Sequence, residues 1–288
     1  MNRFIRHPSS GGADRTRLAA VALCAGAVAL LAGAAGCTAS TTGTSGPAKP
    51  QSARQAITLA SNDTRRANSM SGTFSMRLGS AAPETTTGTI QMQRVPSLLF
   101  DEDLSVSVDG QTLPVTEIVS ASALYLKEAT LSRETGKPWL EVPFSDLEGS
   151  FGSTLARLFQ SAQNGNPLEQ TQMLAASKNV RAVGTQVIDG VQTTHYTGSF
   201  TPSAAVNALS PSLRTAVRPI LGALTGDIRF NAWIDAQHQV RKVTEAETVG
   251  GEPVTMTMNI TAINQPVHIA LPAASQVATL PRSGASGI

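Results

Sequence analysis

The chain has 288 residues, of which 41% are hydrophobic, 15% charged and 4% aromatic, a composition that excludes a disordered tail or a collagen-like fibre and suits one folded domain behind an export segment. Its formal charge of +2 comes from the N-terminus: residues 1–36 hold Arg3, Arg6, Arg15 and Arg17 against Asp14, leaving 18 basic and 19 acidic residues from position 37 onward. Without clustered Lys and Arg there is no electrostatic footprint for phosphate backbones, so nucleic acid is excluded as a partner.

Arg3 to Arg17 form a positive, polar stretch, and Leu18 to Ala35 is an uncharged run ending in small residues. That pattern predicts an export signal over residues 1–36. The run is mostly Ala and Gly, too weakly apolar for a good retained span. Ala34-Ala35-Gly36-Cys37 resembles the bacterial lipobox, although Ala34 stands where Leu is usual. The resemblance implies a diacylglyceryl group on Cys37 and anchorage in the outer leaflet of the bacterial cytoplasmic membrane, with the domain extracytoplasmic. Cys24 lies inside the apolar run, so after processing Cys37 is the one cysteine left and disulfide bonding cannot explain it. The bland alternative is plain secretion after Ala32-Gly33-Ala34 with Cys37 as a stray thiol. Residues 37–50, Thr, Ser, Gly and Pro with one charge after the Cys, read as a flexible tether.

The folded part is expected over residues 51–275, with 276–288 as a tail. From Gln51 to Asn68, Ala53, Ile57, Ala60, Thr64 and Ala67 recur at helical spacing. The period then falls to two. Phe74, Met76 and Leu78 alternate with polar residues, as do Ile90 and Met92, and strands are predicted at 97–108, 113–119, 123–127 and 139–142. Asp109-Gly110 and Asp189-Gly190 supply the positive φ of tight hairpin turns, the latter between strands 180–188 and 191–200. Ile228, Phe230, Ala232 and Ile234 share a face, and so do Val254, Met256, Met258 and Ile260. Helical inserts are expected over 152–174 and 201–224, the second starting at Thr201-Pro202 and carrying the stripe Leu213, Val217, Ile220, Leu221 and Leu224. About ten or eleven hairpin-connected strands with helices able to cover one face make an α+β fold built on a large curved antiparallel sheet.

The order of export signal, lipidated Cys, Thr/Ser stalk, helix, long hairpin sheet and helical inserts is similar to the LppX and LprG type of actinobacterial lipoproteins, relatives of the LolA/LolB lipoprotein carriers. The strings that carry the likeness are Ala123-Leu124-Tyr125-Leu126-Lys127, Gly136-Lys137-Pro138-Trp139-Leu140-Glu141-Val142, Ile188-Asp189-Gly190-Val191-Gln192-Thr193-Thr194-His195-Tyr196, Trp233-Ile234-Asp235 and Arg241-Lys242-Val243. The resemblance implies a half-barrel sheet whose concave face, closed by helices, encloses an apolar space for a lipid or acylated glycolipid. Segment 166–177 and the Pro-broken second insert have no counterpart in that pattern.

No motif of catalysis stands out: G-x-S-x-G, Walker and G-x-G-x-x-G patterns are absent from the sequence. His195 reads as a structural cross-strand residue, facing away from Tyr196. Asp101-Glu102-Asp103 reads as a solvated sheet face with Glu102 turned from its neighbours. Glu245 and Glu247 share a strand face, as paired catalytic carboxylates would, but Arg241 in the same i, i+2 series favours a surface-charge role. Trp139 and Trp233 are expected at the rims of the space or capping the sheet. The expected function is therefore lipid binding or transfer without catalysis, cofactor or metal, with Leu213, Val217, Ile220, Leu221, Phe230, Met256 and Met258 lining the ligand space. The alternative is an envelope interaction or sensing lipoprotein with a filled core.

Overall fold

The computed structural model describes residues 52–64, 67–80, 83–108, 110–147, 179–209 and 224–279, together with 156, 177, 211, 214, 218, 221 and 222. Helix α1, Ala53–Thr64, opens it. Ser52 and Gln55 cap its start reciprocally: Ser52 Oγ accepts from the Gln55 amide at 3.2 Å and Gln55 Oε1 accepts from the Ser52 amide at 3.0 Å, which satisfies amides that the first turn leaves without partners. The strands β1 Ser69–Leu78, β2 Glu84–Gln93, β3 Leu99–Val108, β4 Gln111–Val119, β5 Ala123–Lys127 and β6 Trp139–Pro143 follow, with helix α2 at Ala129–Thr135 between the last two. After them come β7 Arg181–Ile188, β8 Val191–Phe200, helix α3 Pro202–Ala208, β9 Ile228–Asp235, β10 Val240–Val249, β11 Glu252–Ile263 and β12 Val277–Thr279.

All twelve strands belong to one open, curved sheet in the order β12-β6-β5-β4-β3-β2-β1-β11-β10-β9-β8-β7. Each pairing is antiparallel except that of β12 with β6. Two runs of hairpins, β1 to β6 and β7 to β11, meet along β1 and β11, where Phe74 stands opposite Met258 and Met76 opposite Met256. The expected alternation holds most clearly in β11, which buries Val254, Met256, Met258 and Ile260 and turns Thr255 and Thr261 outward. Asp189 (φ 47°) and Gly190 (φ 79°) make the expected two-residue turn, and Gly250-Gly251 (φ 59° and 93°) makes another between β10 and β11.

The interior face of the sheet carries a single large apolar cluster. Helix α1 brings Ile57 and Ala60 to it, and α3 and its flank bring Ala205, Val206 and Leu209. Thr201 Oγ1 accepts from the Ala204 amide at 3.1 Å ahead of Pro202 in the first turn, as the sequence predicts. The expected insert over 152–174, apart from Ala156, and most of 210–224 lie outside the described residues.

The opposite face is covered in part by residues 264–276. Ile269 buries itself against Leu99 and Ile118, joined by Val267, Tyr125 and Trp139, and its amide donates to Gln93 Oε1 at 2.9 Å. The strap continues past Ser275, whose carbonyl accepts from Lys137 Nζ at 2.7 Å, into β12. That strand falls in the stretch expected to be a tail, and it pairs with the edge of β6.

Two glycines mark where strands come too close for a side chain. A β-carbon at Gly72 would fall on the carbonyl oxygen of Asn259, and one at Gly88 on that of Asp103, so at both points neighbouring backbone occupies the space of a side chain. Gly88→Val is expected to cost at least the upper end of the about 1–3 kcal/mol typical of overpacking, read as a lowered midpoint in urea unfolding; an unchanged midpoint would mean that the sheet flattens there without strain.

Candidate functional site

Four of the sequence-predicted ligand residues stand on the interior face. Phe230 is completely buried and stands between Gly198 of β8 and Glu245 of β10. A β-carbon at Gly198 would lie 2.6 Å from the Phe230 ring, so the absence of a side chain on β8 is what lets that ring lie flat across the strand. Phe200 tilts against it with ring centroids 6.1 Å apart. Met256 and Met258 follow on β11, and Leu221 joins the same cluster. Of the residues expected to line the space, Leu221, Phe230, Met256 and Met258 are thus brought together, while Leu213, Val217, Ile220 and the lipidation residue Cys37 lie outside the described residues.

Acids stand on this apolar face where the sequence reading did not put them. Glu245 is opposite Phe230 on one side and Met256 on the other, and Glu247 is opposite Val254. Both are half-buried. Burial and the nearby Glu247 push the Glu245 carboxyl up to about 8, and burial raises Glu247 as well. The surface-charge reading fails because of a bulge. Val240 pairs with Ile234 and Lys242 with Trp233, leaving Arg241 as the extra residue that breaks the i, i+2 series. Arg241 instead holds Asp235, at 2.7 Å from Nη2 and 2.8 Å from Nε, and Gln239.

The second pair is deeper. Glu102 and Glu117 stand directly opposite each other on β3 and β4, 1% and 0% exposed. The sequence turns Glu102 from Asp101 and Asp103 as expected, but toward the core and not toward solvent. Glu102 Oε2 and both carboxyl oxygens of Glu117 have no hydrogen-bond partner, and each unpaired buried polar group costs about 1–3 kcal/mol. Burial lifts the Glu117 carboxyl to about 8 and, with the charges of Glu117 and Asp101, puts that of Glu102 well above the usual carboxyl range. Glu117 was not singled out from the sequence, although its phase with Val115 and Val119 is the signal that would have found it.

His195 and the two tryptophans belong to the outer face. His195 stacks on Trp233 at 4.4 Å and 8°, its Nε2 lies 3.0 Å from Asn231 Oδ1, and Lys242 Nζ sits 5.1 Å over the Trp233 ring. Tyr196 turns to the core, as alternation requires. Trp139 packs under the strap with Lys127 Nζ 5.8 Å above it. Neither tryptophan lines the interior.

Raised carboxyl values fix the sign of a pH effect. Glu117 and Glu245 stay protonated in the fold up to about pH 8 but ionise near pH 4 to 5 when unfolded, so the folded state holds more protons between those limits. Their contribution is complete below the unfolded value and is lost as pH rises through 8. Melting temperature is expected to fall from pH 5 to pH 9, and Glu117→Gln to flatten that slope; a profile that the substitution leaves unchanged would contradict the assignment.

The LppX_LprAFG lipoprotein family model matches residues 168–269, which bears out the resemblance to LppX/LprG-type lipoproteins drawn from the sequence. A Streptomyces coelicolor protein named as a lipoprotein is 26% identical over 143 residues, 43% of this chain, so the matched part spans 50% of that relative's length. Among solved structures, lipoprotein LppX of Mycobacterium tuberculosis is 19% identical with a TM-score of 0.47, covering 76% of this chain and 98% of its own. LprF of Mycobacterium bovis is 15% identical with a TM-score of 0.46, covering 77% and 97%.

Proposed function

We propose that this LppX/LprG-type chain is a membrane-anchored extracytoplasmic lipoprotein that binds or transfers a lipid or another hydrophobic ligand between its sheet and its helices, without catalysis. The observation that carries this reading is the interior face itself, where Phe230, Met256, Met258 and Leu221 meet the helices in one apolar cluster. Met side chains are unbranched and adapt to flexible chains. Affinity for an acyl chain needs only apolar area, at about 25 cal/mol per Å² removed from water, whereas catalysis needs a positioned nucleophile or base. His195, the histidine of β8, is engaged with Trp233 and Asn231 on the other face, away from the interior acids.

In this reading Cys37 carries the diacylglyceryl group and residues 37–50 tether the domain. Each buried methylene contributes about 0.8 kcal/mol, so two or three acyl chains hold stably where one would not. Cys37→Ala is expected to release the protein to the medium or leave uncut precursor at the membrane; unchanged fractionation with a mature N-terminus elsewhere would refute the anchor.

The complete burial of Phe230 favours the competing reading, a filled core that works through its outer surface as an interaction or sensing module. Native mass spectrometry and solvent extraction of the purified protein separate the two. Co-purified lipid is expected. Val217→Trp, on the helical stripe read from the sequence, should block lipid loading with little loss of stability; a lipid-free protein that this change destabilises by about 1–3 kcal/mol has a filled core.

A further inference from the structure

Asp235 shows how a buried acid can be satisfied in this fold: it accepts from the amides of Gln237 and Gln239 and from Arg241. Glu102 and Glu117 receive nothing comparable. They occupy the middle of an interior row, Ile90, Glu102, Glu117, Leu126, that runs across β2, β3, β4 and β5. Above and below them along the strands stand the apolar pairs Phe100 with Val119 and Leu104 with Val115. Three of their four carboxyl oxygens are closed off from solvent and have no protein partner. Two apolar residues of similar volume would pack here at less cost, because replacing both members of an unsatisfied buried polar pair by groups of the same shape is close to neutral or stabilising.

We propose that Glu102 and Glu117 form a polar subsite for a hydroxyl group of the bound lipid, so that the protein selects a hydroxyl-bearing acyl lipid over its fully acylated counterpart. This rests on the reading of the interior as the ligand site. A carboxyl group kept neutral by its apolar setting offers one donor and open acceptor positions, and an alcohol offers the same two roles in return, so both partners can be satisfied without any buried charge. A phosphate or carboxylate headgroup would place an anion beside two acids with no cation paired to them. An ammonium group would have to shed a much larger hydration shell than an alcohol does.

The test uses the full-length lipoprotein with two probes of the same acyl chains, diacylglycerol with one free hydroxyl and triacylglycerol with none, offered together in mixed vesicles and quantified after re-isolation of the protein. Wild type is expected to take up diacylglycerol with at least about tenfold preference, the discrimination that a satisfied against an unsatisfied buried hydrogen-bonding site supports. Glu102→Met with Glu117→Met is expected to take up triacylglycerol undiminished, to lose the preference, and to melt no lower than wild type at pH 7. Equal uptake of the two lipids by wild type, or a preference that survives in the double variant, would overturn the subsite while leaving lipid binding intact. Uptake of neither lipid by wild type would overturn the lipid-binding reading and the subsite with it. If the double variant does not fold, Glu117→Gln alone is decisive: an amide cannot replace the carboxyl O–H without turning its own second donor on the core, and the preference should fall several-fold or the proposal is wrong.

Discussion

Antiparallel pairing of β1 with β11 holds the two hairpin runs in one sheet. On one side of this seam every connection from β1 to β6 joins neighbours in sequence, and on the other the same is true from β7 to β11. Nothing local joins the halves. The seam therefore decides which residues face each other across the interior: Phe74 meets Met258 and Met76 meets Met256, and from there the register carries Glu245 to Phe230 and Ile90 to Glu102. Because a strand's side chains alternate, a slip of one residue at the seam would turn β11's Met256 and Met258 to solvent and Thr255 and Thr257 inward. Gly72 lies in this seam beside a register shift, with the Asn259 carbonyl where its side chain would be, so close backbone approach and pairing are one constraint.

The two faces of the sheet are finished differently. Inside, helices supply Ile57, Ala60, Ala205 and Val206 to a cluster of aromatic, Met and aliphatic residues. Outside, the strap brings Val267 and Ile269 over Leu99, Ile118 and Trp139, and β12 closes one edge. The other edge is β7, where Val187 is 67% exposed. Among the described interior acids, Glu102 and Glu117 have carboxyl oxygens without a partner, and they make the interior a place that is apolar in bulk and particular at a few points.

Much of this was legible in the residues, and the failures have physical causes. The alternation in β11 and in β9 was read correctly because one face is fully buried and the other polar, so the period of two is unbroken. Asp189-Gly190 declared its turn because those residue types tolerate positive φ. Helix α2 escaped because it buries no residue and so has no apolar stripe; its signals are the cap at Glu128, which accepts from the Thr130 and Leu131 amides, and Gly136 at φ 66°. Arg241 misled because a bulge adds a residue that a strict period cannot anticipate. Glu102 misled for the opposite reason: its phase was regular, but an acid in a strand is ordinarily read as surface. Val277–Thr279 is too short to show a period, and only its pairing with β6 makes it a strand.

The seam also has a cost in time. Thr73 and Asn259, hydrogen-bonded across it, are 186 positions apart. A chain made from its N-terminus at about 5–20 residues per second leaves β1 waiting roughly 10–40 s for its partner. Until β11 is made, any sheet built by the first six strands has a raw edge at β1, and the patch of Leu99, Ile118 and Trp139 lacks the cover that the strap gives it in the finished fold. That edge has to stay unfolded or shielded in the meantime, and the last sixteen described residues, 264–279, are the latch added at the end.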